Sequence, residues 1–128
     1  MSANEISLTP VDHRRNRRPG EQVEFSALWA LEKKPAAVEA RLFWFTRGKG
    51  TEDVGVIATQ AVPSADSAGE HLFRFTLPDA PYSFSGKLIS LLWAVELVAG
   101  DDVARCEFDL APEGREIVLT SAPHAARP

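Results

Sequence analysis

From residue 21 to 31, and again from 38 to 44, apolar and polar side chains alternate. Val23, Phe25, Ala27, Trp29 and Leu31 share one face of the first run, and Val38, Ala40, Leu42 and Trp44 share one face of the second. A period of two marks a half-buried strand, because successive side chains point to opposite faces of a sheet. Phe73, Phe75 and Leu77 keep the rhythm, as do Ile89, Leu91, Trp93, Val95 and Leu97, and then Ala104, Cys106, Phe108 and Leu110. No segment sustains the spacing of three and four that a helix needs. Gly, Pro and Asp clusters punctuate the runs, so the pattern predicts strands at about residues 4–9, 21–31, 37–47, 53–62, 70–77, 86–99, 102–110 and 115–120. Gly100-Asp101-Asp102 reads as a tight hairpin turn. Many short strands with turns between them predict an all-β, antiparallel, immunoglobulin-like sandwich, whose two half-apolar sheets bury their inner faces together. Trp29, Trp44 and Trp93 are expected in that core, against the alternative of a sugar-stacking platform, which needs exposed rings.

Four large apolar residues fall on the opposite face. Phe43 and Phe45 alternate with Leu42 and Trp44, and Leu88 and Leu92 alternate with the core residues of the long strand. If those two strands are neighbours, the four gather on one outer surface, and such a patch points to a protein partner or to a symmetric dimer. Arg41, Arg47, Glu96 and Arg105 would form its polar rim. The competing expectation is that a loop or the C-terminal segment covers these residues.

The chain has 128 residues and a mass of 14.0 kDa, enough for one sandwich over residues 1–120 with a C-terminal tail at 121–128. Eighteen acidic against fourteen basic residues give a net charge of −4, a poor balance for a general nucleic-acid binder. A single cysteine, Cys106, cannot form an intrachain disulfide and is expected as a small buried hydrophobe. No basic start followed by an apolar run marks a signal peptide, and the longest apolar stretch, Leu88 to Ala99, is broken by Ser90 and Glu96. A cytoplasmic location is expected. The exception to the acidic balance is local: Arg14, Arg15, Arg17 and Arg18 crowd beside His13. Such a loop suits a phosphate, anionic lipid headgroups, a nucleic acid or an acidic protein segment, unless the domain's own carboxylates neutralise it.

Three stretches resemble a known family. Arg18-Pro19-Gly20-Glu21 leads into the second strand, and Ala40-Arg41-Leu42-Phe43-Trp44-Phe45-Thr46-Arg47-Gly48-Lys49-Gly50 forms the third. The segment from Phe75 to Val95 carries a proline-rich turn, Pro78-Asp79-Ala80-Pro81, then Gly86 and an Ile89-Ser90-Leu91-Leu92-Trp93-Ala94-Val95 strand. Together they resemble bacterial arrestin-like domains, including relatives of the sporulation-control type, over about two-thirds of the chain. The resemblance implies an immunoglobulin-like sandwich used as an adaptor or scaffold, without catalysis or cofactor. Arrestins proper place two sandwiches in tandem and keep a phosphate-sensing polar core between them. One sandwich is expected here, so none of those residues is carried over. Independently of family, Pro78 and Pro81 cannot donate ladder hydrogen bonds, which makes 78–86 a fixed crossover.

No chemistry-bearing motif is complete. Gly48-Lys49-Gly50-Thr51 departs from the phosphate-loop spacing and precedes a strand, so it reads as a hairpin loop. His13, His71 and His124 are too scattered for a metal site, and Glu52-Asp53 and Asp101-Asp102 sit in turns. Serines have no matching His partner, which leaves a hydrolytic triad unsupported. The expectation is a non-enzymatic protein-interaction domain, with no metal or cofactor, docking by an outer sheet face or an edge strand. The alternative is a module that binds carbohydrate or a phosphorylated or anionic group, and a small enzyme comes third.

Overall fold

The computed structural model describes residues 4–48, 52–86, 88–112 and, for the backbone, 117–118. The predicted alternation becomes two sheets. The smaller has β3 (Gln22–Ala30) at its centre, paired antiparallel with β1 (Glu5–Pro10) and with β6 (Ala68–Thr76). The larger is built on β4 (Val38–Gly48) and β8 (Ile89–Ala99), which run antiparallel from Val38↔Ala99 to Gly48↔Ile89. Strand β5 (Val54–Val62) flanks β4 and ends the sheet. On the far side of β8 lie β9 (Asp102–Leu110) and the two-residue β7 (Phe84–Ser85). The two-residue β2 (Asn16–Arg17) adds to β9, and β10 (Ile117–Val118) adds to β7. The described residues contain no helix.

Side chains from both inner faces fill the space between the sheets. Val23, Phe25, Ala27, Phe73, Phe75 and Leu77 meet Val38, Ala40, Leu42, Trp93, Val95, Leu97, Phe108 and Leu110. Burial of this set, at roughly 25 cal/mol per Å² of apolar surface, is the main force holding the fold. Trp93 and Trp29 are buried and each satisfies its indole N–H, donating to the carbonyls of Pro81 at 2.7 Å and Asp66 at 3.0 Å. Trp44 is partly buried and lies across Gly55 of β5, where a Cβ would come within 2.2 Å of the ring. The hairpin predicted at Gly100 joins β8 to β9, with Gly100 in the left-handed region at φ 63° and Ala99 opposite Asp102.

Three expectations change. Ile89 belongs to the exposed start of β8 and not to the core, because the crossover through 78–86 brings the chain in at the end of the sandwich. That crossover also contains β7, fixed by a backbone bond from Ser83 N–H to Leu110 and by the buried Ser83 hydroxyl, which accepts from Leu110 N–H at 2.9 Å. Cys106 is half-buried, short of the full burial expected. The strand expected at 115–120 is described only at 117–118. The tail at 121–128, His124 and the loop residues Lys49, Gly50 and Thr51 lie outside the described residues.

Candidate interaction surface

The β4–β8 pairing places Phe45 opposite Leu92 and Phe43 opposite Ala94, so the neighbouring strands expected from the alternation do gather these side chains. They are not open to water. Phe43, Phe45 and Leu92 keep 6, 9 and 8% of their surface exposed, which corrects the expectation of an uncovered patch. Cationic arms supply part of the roof: the Arg105 guanidinium sits 5.1 and 5.0 Å from the Phe43 and Phe45 ring centres, and that of Arg47 sits 5.4 Å from Phe45. Arg105 reaches Glu96 at 3.2 Å, Arg47 reaches Glu107 at 3.1 Å, and Arg41 pairs with Glu39. Each rim arginine is thereby matched by a glutamate. Leu88 is 65% exposed and stands apart, beyond Ser90 on β8, so it does not join the cluster.

The apolar residues that do face water beside this cluster are on β5. Val54 pairs with Phe45 and Val56 with Phe43, on the outer face, and they are 62 and 58% exposed; Ile57 is 44% exposed. Leu42 faces Ala58 while Phe43 faces Val56, which leaves Ile57 as the extra residue of a β-bulge. Sequence reasoning placed a strand here without assigning it a role. The available signal was the absence of any charge in the nine residues VGVIATQAV.

β5 is also a free edge of the described residues. Among the described residues its only strand partner is β4. The opposite flank is closed, since β1 packs along β9, Asn4 donates to Asp102 at 2.8 Å, and β2 covers part of β9. Strand β6, on the open flank, carries Glu70, His71 and Arg74, and the Gln60 side chain of β5 donates to the Arg74 carbonyl at 2.5 Å. Charges on an edge strand discourage foreign pairing, and β5 has none.

The arginine loop is largely engaged within the fold. Arg17 is only 1% exposed and donates to both Asp12 oxygens at 2.6 Å, to Glu21 at 2.9 Å and to the Arg14 carbonyl at 2.9 Å. The hydrogen bond from Arg17 holds the Asp12 carboxyl down at about 2, against burial that pushes it up. Burial opposes the charge on Arg17, but the bonds it donates to Asp12 and Glu21 outweigh it and keep the guanidinium pKa above its ordinary value. Arg15 lies 3.4 Å from Asp109, and Arg14 lies 3.9 Å from Glu21. The loop is braced by the domain's own carboxylates, the alternative to an anion site: Asp12, Glu21 and Asp109 meet the charge of Arg17, Arg14 and Arg15, while the side chains of Arg14, Arg15 and Arg18 stay exposed. The buried indoles of Trp29 and Trp93 offer no stacking platform for a sugar. Burial raises the Cys106 thiol pKa, outweighing the nearby Arg17 and Arg15, so the thiol is not activated. Among the described residues no three His, Cys, Asp or Glu side chains group as a metal site would.

No protein-family model matches the chain, and no curated protein matches it in sequence. Solved structures do match in three dimensions. Spo0M, a sporulation control protein from Bacillus subtilis, superposes with a TM-score of 0.60 at 16% identity, over 86% of this chain and 50% of that one. The fold is Spo0M-like. That likeness supports the arrestin-like sandwich fold expected from the sequence, and the chain spans about half the length of the Spo0M chain. A CARDB domain from Pyrococcus furiosus gives a TM-score of 0.48 at 8% identity, over 84% of this chain and 87% of that one. A chitin binding domain from Burkholderia pseudomallei gives 0.45 at 14% identity, over 80% and 61%. Among the described residues no helix is long and apolar enough to cross a membrane.

Proposed function

We propose that the chain is a non-enzymatic protein-interaction module, an adaptor or scaffold, whose docking element is β5 together with the outer face beside it. The observation that carries this reading is the coincidence, on one strand, of a free edge, nine uncharged residues and the exposed side chains Val54, Val56 and Ile57. An unpaired edge offers a row of backbone donors and acceptors to an incoming strand, and apolar side chains beside it supply the desolvation that gives affinity. Phe43, Phe45 and Leu92 form the floor of the adjoining face, and Arg41, Arg47 and Arg105 with their glutamates form its rim. A Spo0M-like fold accords with a control role exerted through contacts, as an analogy of fold. The lone, half-buried Cys106 suits the reducing cytoplasm.

A photo-cross-linking residue placed at Val56 and, separately, at Leu72 on the smaller sheet tests the reading in the host cell; both positions are exposed. A defined protein adduct at position 56 and none at 72 is expected. Equal labelling at both positions, or labelling at 72 alone, contradicts it.

A further inference from the structure

Resting on the reading of β5 as a docking element, we infer that its occupant is a second copy of this chain, added edge to edge so that two larger sheets become one. The bulge dictates the register. Before it, Val54 and Val56 lie on the outer face, opposite Phe45 and Phe43. After it, Thr59 and Ala61 lie on that face, opposite Arg41 and Glu39, whereas Gly55 and Gln60 face inward with Trp44 and Ala40. Residues paired across a continuous sheet must share a face. In an antiparallel pair related by a two-fold axis normal to the sheet, an axis passing between Ile57 and Ala58 satisfies this for the residues on either side of the bulge. Val54 then meets Ala61 of the second copy, Gly55 meets Gln60, and Val56 meets Thr59.

The charges favour the same arrangement. A two-fold contact sets each residue against its own kind of neighbourhood, so a charged edge repels itself. β5 has no charge to oppose. The flanking carboxylates also fall harmlessly, with Asp53 opposite Val62 and Glu52 opposite Pro63, and Pro63 ends the ladder because it has no N–H. On the adjoining face every rim arginine is already matched by a glutamate, so a second copy brings no net repulsion. The strand pair alone is well below the roughly 800 Å² per partner of a standard interface, which makes the dimer reversible and dependent on concentration.

Sedimentation of the purified chain across a concentration series tests this. A reversible monomer–dimer equilibrium is expected. Val56→Lys with Thr59→Lys sets lysine against lysine twice and should leave a monomer at every concentration, whereas Val56→Lys with Thr59→Glu sets opposite charges together and should restore or strengthen the dimer. Should the first variant fold poorly beside Arg41, Val56→Glu with Thr59→Glu replaces it and must also be monomeric. A wild-type chain that stays monomeric throughout, or a like-charge variant that still dimerises, overturns the inference. A monomer that still cross-links a foreign protein through position 56 overturns self-pairing and leaves the docking element standing.

Discussion

Arg17 shows how one buried side chain organises a segment that has no strand of useful length. It reaches back to Asp12 and forward to Glu21, while its backbone pairs with β9 opposite Leu110. Arg17→Gln strips most of these charge-assisted bonds, and urea unfolding should show a loss of about 2 kcal/mol, discounted because Asp12 is partly exposed and screened by solvent. The Asp12 pKa is lowered on folding, from 3.8 to about 2, so its contribution is present above pH 3.8 and disappears as pH falls towards 2. Melting temperature followed against pH should fall through that window in the wild type and more shallowly in Asp12→Asn. The cluster of arginines was legible in the sequence, but their partners were not. Asp109 comes from a strand more than ninety positions away, and no periodicity links Asp12 to Arg17.

Element by element, the long strands were readable because one face of each is buried and the period of two records it. β2 and β7 are two residues each, too short to carry a period, and are fixed by partners elsewhere in the chain. The outer face misled for a physical reason. Alternation reports which side of a sheet a residue is on, whereas its exposure depends on what neighbouring side chains lay across it, here Arg105 and Arg47 over Phe43 and Phe45. On β5, Gly55 lets the strand pass beneath the Trp44 ring at a distance no Cβ tolerates. Gly55→Ala should cost about 1–3 kcal/mol by forcing the ring or the strand to move, and should shift Trp fluorescence. In the core, Trp93→Ala should cost about 3–5 kcal/mol by thermal or urea unfolding, because a fully buried side chain leaves a cavity that the two sheets cannot close.

At the scale of the whole molecule the sandwich is asymmetric. One flank is closed by β1 against β9, and the other presents β5 and β6 as edges of different sheets, joined through residues 63–67. Of those two edges, β6 carries charges and β5 does not. That contrast is the basis for the proposal that β5 is where the protein meets a partner. Backbone amide resonances of the isotope-labelled chain, compared in dilute buffer and in concentrated extract of the host cell, test the assignment most directly. Broadening and slowed hydrogen exchange confined to Val54–Val62 and the adjoining outer face of β4 are the predicted result; changes centred on β6 or on the Arg14–Arg18 loop, with β5 unaltered, would contradict it.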